Sequence, residues 1–327
     1  MLTALREGFL SVGRNWGLVV LVLVADLLLS ALLAVPLASQ LEADLRHRGA
    51  SLEMMYGFDY DWWSRWSERQ EGFSRTFSPA VFGTAFAFRN LALLLDGQLP
   101  AGLFARVRDK ENDGVPPIDE VVLGLGALYV LVQAFLAGGL LGVFRAPQGG
   151  WTFRGLAHGC GFYFGRILRV SLLALALAAA VFALNAPFAR LLDRLSSEAV
   201  SERTAIALTL GRHALVLLAL LFVHMASSFA KVTVVREERR SAALAFLSSL
   251  GFCARNLFAA LGQYAVVLAL GAMLLVAFGL LDARWTATGW KSQLVLLALF
   301  ETVLLGRIAL RLGLLAGQLE LARARGR

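Results

Sequence analysis

The chain is 327 residues long, 58% hydrophobic and 17% charged, with a mean hydropathy of +0.68 and a formal net charge of +8. A water-soluble domain is nearer half apolar and one-quarter charged, so this composition excludes an ordinary soluble enzyme and turns the basic balance toward a membrane, not a nucleic acid. The apolar excess gathers in runs of roughly 20 residues, the length that crosses a ~30 Å hydrocarbon core as a helix.

In chain order, ALREGFLSVGRN (4–15) reads as a short amphipathic helix lying in the membrane interface, its arginine at headgroup level. The first span follows at 17–38 and is apolar except for Asp26 and Ser30, with Asp26 near the midplane. The run is too long for a secretory h-region and Pro36 spoils an A-x-A cleavage pattern, so a retained span is expected.

Residues 39–118 form a long polar loop expected to fold as an outer helical subdomain. Within it, LEADLRHR (41–48) has the leucine spacing of a short amphipathic helix. GFDYDWWSRW (57–66) sets Trp62, Trp63 and Trp66 among charges. Those rings suit either an aromatic belt with loop packing or an outer surface for a membrane or extracytoplasmic partner protein. The stretch 77–97 is nearly long enough to span but holds Arg89 and Asn90, which favours an interfacial or re-entrant helix. RDKENDGVPP (108–117) is a polar turn.

Spans 2 to 6 are read at 121–144, 167–187, 208–230, 257–281 and 292–315, making 119–327 one bundle. Gly138 and Gly142 stand in a G-x-x-x-G spacing that lets helices approach closely. FRGLAHGCGFYFGR (153–166) and LAFLSSLGFCARN (244–256) resemble the 4–15 stretch in setting aromatic and small residues ahead of an arginine. Three successive hairpins, each with an amphipathic lead-in, are therefore expected. Trp16, Trp285 and Trp290 fall at span ends as interfacial anchors, and Arg212–His213 is read as interfacial too.

The connections 145–169 and 231–256 carry nine arginines and lysines against Glu237 and Glu238, and the C-terminal end adds more. The positive-inside rule puts both termini and these loops in the cytoplasm, and the Ala-, Leu- and Arg-rich composition fits a GC-rich bacterium, so the plasma (inner) membrane of such a cell is expected. Arg307, Arg311, Arg323, Arg325 and Arg327 are candidates to contact anionic lipid headgroups, with Gln318 near the same stripe.

Counting along the helices, Asp26, Gln133, His224 and Glu301 come from four spans at similar depth. Hydrocarbon does not solvate such groups, so they are expected to meet inside the bundle, either as a proton or ion relay or as a polar lock on helix register. Walker, dinucleotide, zinc-protease and nucleophile-elbow motifs are absent, and the scattered His and Cys residues have no metal spacing. No catalytic residue, metal or cofactor is expected.

The stretch SSFAKVTVVREERRSAALAFLSSLGFCARNLFAAL (227–261) resembles the membrane domain attached to some glycerophosphodiester phosphodiesterases and the YciC-like families. The resemblance rests on Val232, Val234, Val235, Glu237, Ala243, Leu244, Ser248 and Ser249, about a tenth of the chain. It implies a polytopic all-α membrane domain and no attached catalytic domain. The expectation is thus a non-enzymatic six-span protein, a subunit, scaffold or lipid-interacting component of a membrane assembly. The alternative is a transporter or channel-like protein using the midplane cluster.

Overall fold

The computed structural model describes residues 1–46, 59–77, 119–146, 150–197, 201–282, 284 and 289–325. They form helices α1 (Leu2–Arg14), α2 (Trp16–Leu45), α3 (Tyr60–Arg69), α4 (Glu120–Arg145), α5 (Phe153–Ser197), α6 (Glu202–Glu237), α7 (Ala242–Arg255), α8 (Leu257–Asp282) and α9 (Trp290–Arg325). A 3₁₀ turn occupies Gly72–Thr76, and no strand occurs among the described residues. Helices α2, α4, α5, α6, α8 and α9 are each long and apolar enough to cross a membrane. The chain is an all-α, multi-pass bundle of six such helices.

Two of the three amphipathic lead-ins are separate helices, and asparagine is the reason. At Asn15 and Asn256 the backbone leaves the helical region (φ −115° and −121°) and one helix stops as the next begins. Each side-chain amide caps the helix just ended, Asn15 Nδ2 donating to Ser11 O at 2.8 Å and Asn256 Nδ2 to Phe252 O at 3.2 Å. The asparagine carbonyl then accepts from the next helix, Leu18 N to Asn15 O at 2.8 Å and Ala260 N to Asn256 O at 2.9 Å. The third lead-in has Ile167 where the others have asparagine, and there helix α5 runs unbroken for 45 residues.

The three lead-ins dock in a cycle. Helix α1 packs on α9, the first turns of α5 pack on α4, and α7 packs on α6. Each lead-in thus lies on the second span of the preceding hairpin, and the first closes the ring on the last. Small residues make the approach possible. Counting six back from Arg14, Arg166 and Arg255 gives Gly8, Cys160 and Ser249. A Cβ on Gly8 would stand 2.7 Å from Gly317 Cα, Cys160 fills the space beside Gly139, and Ser249 Oγ donates to Ala226 O at 2.8 Å. Gly138 of the G-x-x-x-G pair takes part, facing Gly159 O at 2.9 Å from its would-be Cβ.

The core sits at the arginine-rich end. Leu18, Leu141, Ile167, Met225 and Leu319 are fully buried there. Beyond Val22, α2 buries nothing further, and α9 buries nothing before Val303. The bundle is therefore packed at its basic end and loosely packed toward the other.

At the far end α2 continues past Pro36 to Leu45, so the 41–45 stretch is the end of the first span's helix and not a separate one. Its stripe Leu37, Leu41 and Leu45 packs under Trp62, Trp66 and Phe77. Asp59 caps α3 by accepting from Trp62 N at 2.8 Å, and Trp62 Nε1 donates to Asp44 at 2.9 Å. Trp62 and Trp66 are 2% and 1% exposed. This corrects the expectation of an outer partner surface for these two rings, whose apolar area is spent on α2; Trp63 is half-buried and donates to Phe77 O at 3.4 Å. Residues 57–58, the 78–97 part of the interfacial stretch, 108–117, Trp285 and Arg327 lie outside the described residues.

Candidate functional site

Helices α4, α6 and α9 carry Arg145, Arg236 and Arg323 in their last turns, and these three side chains link the helices in a closed cycle. Arg145 donates to Val235 O of α6 at 2.9 Å. Arg236 donates to Ala322 O of α9. Arg323 donates to Arg145 O of α4 at 2.7 Å, and to Phe144 O at 3.4 Å. Each guanidinium satisfies last-turn carbonyls that have no partner within their own helix and meets the negative end of that helix's dipole. Arg145 also pairs with Glu238 at 2.7 Å, and Arg166 donates to Glu238 O at 3.1 Å. Both hold Glu238 in its left-handed cap conformation, φ +53°. Arg323 is therefore occupied with α4 and Glu320, not freely presented to lipid as expected from the sequence.

Twelve residues before those arginines stand Gln133, His224 and Arg311, one on each of the three helices. At a rise of about 1.5 Å per residue this level is on the order of 18 Å in from the arginine ring. Gln133 Nε2 donates to Asp26 Oδ1 at 2.7 Å, and Arg311 donates to Gln133 Oε1 at 2.8 Å. The glutamine thus couples a carboxylate on α2 to a guanidinium on α9. The structure joins Asp26 and Gln133 as the depth count predicts. It also draws in Arg311, which the sequence reading assigned to the lipid-contacting stripe.

His224 and Glu301 do not join that bridge. His224 stands on a second seam between α6, α8 and α9, its ring edge-on to Tyr264 with centroids 5.8 Å apart. On this seam Ser228 donates to Gln318 Oε1 at 2.5 Å, and Gln318 Nε2 donates to Tyr264 Oη at 3.1 Å. Gln263 Nε2 donates to Gly317 O at 3.0 Å. Glu301 stands ten residues before Arg311 on α9, about 15 Å further from the arginine ring at ~1.5 Å per residue and about 80° around the helix, so it shares neither the level nor the face of that bridge. Arg307 is exposed, and Arg325 reaches Asn256 Oδ1 at 3.2 Å.

Lys231 is the residue that sequence reasoning missed. The fourth span was read as ending at 230, which put Lys231 in a cytoplasmic loop. Helix α6 instead continues to Glu237, so Lys231 lies five residues inside the arginine ring, half-buried. His224, Ser228 and Lys231 follow i, i+4, i+7 spacing and share one face of α6. The Ser228–Gln318 bond turns that face to the Arg311–Gln318 face of α9, and Lys231 and His224 both lie within electrostatic reach of Arg311. The spacing of twelve residues from Gln133, His224 and Arg311 to their arginines was the available signal.

The charge of this region is positive. Arg311 and Lys231 lie within electrostatic reach of one another, and Asp26 meets Arg311 only through Gln133. Among the described residues, no three His, Cys, Asp or Glu side chains converge as metal ligands. Outside the spans, Cys253 on α7 is fully buried, and desolvation pushes its thiol up to about 12. No family model, curated protein or solved structure matches the chain.

Proposed function

We propose that this protein is a non-enzymatic, lipid-interacting component of a membrane assembly, held in a bacterial plasma membrane with both termini in the cytoplasm. The observation that carries the reading is the apolar surface the fold leaves uncovered. In the most apolar stretch of each spanning helix only 6–17% of residues are buried. Leu268, Met273 and Leu210 are 75%, 68% and 63% exposed. Surface of that kind is covered by acyl chains or by helices of another membrane protein. The orientation is supported by the gathering of Arg14, Arg145, Arg166, Arg236, Arg255 and Arg323 near one end of the bundle, the end that the positive-inside rule assigns to the cytoplasm. The resemblance to the phosphodiesterase-associated and YciC-like membrane domains is in keeping with this role.

The midplane alternative, passage of protons or solutes along Asp26, Gln133, His224 and Glu301, has less support. Among the described residues the hydrogen bonds run from Asp26 to Gln133 to Arg311, while Glu301 stands about 15 Å further along α9. The test is photocrosslinking from Leu268 and Leu210 in native membranes. Phospholipid or membrane-protein adducts at both positions are expected, and a failure to capture either at both sites overturns the reading.

A further inference from the structure

We propose that the seam between α6 and α9 is a binding site for the phosphate group of an anionic phospholipid, with Lys231 and Arg311 supplying the charge and His224 and Tyr264 the neighbouring hydrogen-bonding groups. The proposal rests on the lipid-interacting reading above and gives it a site and a ligand class.

The first reason is charge. Lys231 lies five residues and Arg311 twelve residues inside the arginine ring, where hydrocarbon penalises a cation that has no counter-charge. The one carboxylate bonded into this region, Asp26, reaches Arg311 only through Gln133, and Lys231 adds a second cation near Arg311. Among the described residues Lys231 has no hydrogen-bonded or ion-paired acid: its five neighbours toward the ring contribute none before Arg236, and Glu237 is bound to Arg239 at 2.6 Å. An anion from outside the chain removes the excess. A phosphate oxyanion suits a guanidinium and an ammonium together, the first as a planar fork and the second as a point charge.

The second reason is access. Arg311 and His224 are exposed on the described bundle and Lys231, two turns nearer the arginine ring, is half-buried, so the seam is open on one side. The surface that continues those faces away from the arginine ring is apolar: Leu217, seven residues before His224 on α6, and Leu268, four residues after Tyr264 on α8, are both exposed. A free anion uses only the charged floor of such a seam. A phospholipid uses both parts, phosphate on the cations and acyl chains along the leucines.

The third reason is preorganisation. Gln318 is fully buried and has both its amide ends engaged, by Ser228 and Tyr264, so it holds α6, α8 and α9 at fixed spacing behind the cations. The seam therefore stands formed without a ligand, which lowers the cost of binding one.

The test uses the full chain in nanodiscs of phosphatidylcholine, of phosphatidylcholine with phosphatidylglycerol, and of phosphatidylcholine with inorganic phosphate in the buffer. Thermal unfolding and native mass spectrometry of retained lipid are read together. Phosphatidylglycerol is expected to raise the midpoint by several degrees and to remain bound as one retained lipid per chain. Lys231→Gln and Arg311→Gln should each lose most of that shift. Lys231→Arg, which keeps the charge, and Arg240→Gln, away from the seam, should keep it. An equal shift in the wild type and both glutamine variants overturns the site, as does no shift with phosphatidylglycerol. If a glutamine variant does not fold, lipid retention by Lys231→Arg decides, and its loss overturns the site. A matching shift from inorganic phosphate overturns the lipid source. Retained phosphatidylcholine on a wild type indifferent to phosphatidylglycerol sinks the site while leaving the general lipid reading standing.

Discussion

Arg145, Arg236 and Arg323 look alike in sequence, as positive charge near span ends, yet each has a defined acceptor on a neighbouring helix. A hydrogen bond from a charged donor contributes about 1.5–3 kcal/mol, and a cation at a helix C-terminus adds a few tenths to about 2. Arg236→Ala should therefore lower stability by about 1–3 kcal/mol in a chemical-denaturation series, whereas Arg240→Ala, exposed in the α6–α7 turn, should change it by less than about 0.5. Cys253 gives a second residue-scale expectation. With its thiol pushed up to about 12, the native state holds a proton that the unfolded chain releases near 9. Maleimide at pH 8 should leave Cys253 unlabelled until the protein is unfolded. Stability should decline as pH rises between those two values, because the unfolded state then binds fewer protons. Rapid labelling of the native protein would contradict the burial described for α7. At this scale the sequence was partly legible. The Asp26–Gln133 bond followed from depth alone, because two polar groups in hydrocarbon seek each other. Arg311 did not, since a rule that treats arginine as interfacial has no place for one bound at midplane. Glu301 failed on depth itself: helix α9 runs on to Arg325, which leaves Glu301 ten residues, about 15 Å, beyond the level of Arg311.

Between residue and whole, the element that decides the architecture is the lead-in helix. Its recognition in the sequence rested on aromatic and small residues before an arginine, and all three instances are helical and dock on a second span. What the sequence did not disclose was the partner. Local pattern shows that a helix has a small-residue face, while the docking order depends on which neighbour presents the matching one. The α1–α9 contact is the most sensitive to side-chain size, since a Cβ at Gly8 meets backbone atoms of Gly317 and Gly313 at 2.7 and 2.8 Å. Backbone cannot step aside as a flexible side chain can, so Gly8→Val should cost about 1–3 kcal/mol or more through overpacking. Gly13 on the same helix has open space around it, and Gly13→Ala should be neutral or stabilising by up to about 1 kcal/mol through helix propensity. Thermal midpoints of the two variants in one detergent check both expectations. The difference between an asparagine-broken and a continuous lead-in was also readable in principle. Asn15 and Asn256 follow Arg14 and Arg255 directly, while Ile167 follows Arg166.

Taken as a whole, the molecule is three hairpins in which every hairpin touches both others at the packed end. The six spans and their order were legible from hydropathy, because a run of about 20 apolar residues has few alternatives to crossing the bilayer. The outer rings Trp62 and Trp66 were readable as either a surface or a core, and their packing on Leu37, Leu41 and Leu45 chose the core. The closed relation of the hairpins was not legible, since no single segment contains it.

That closure has a consequence for how the polypeptide can be cut. If the junction between α4 and α5 is severed, the first hairpin still grips the second through Arg145 and through the bed of Gly138 and Gly139, and still grips the third through Gly8 and Arg323. Co-produced fragments 1–148 and 149–327 should therefore find each other in the bilayer and co-purify as one particle. The same pair carrying Gly8→Val and Gly139→Leu should come apart, separating covalent tethering from the interlock itself.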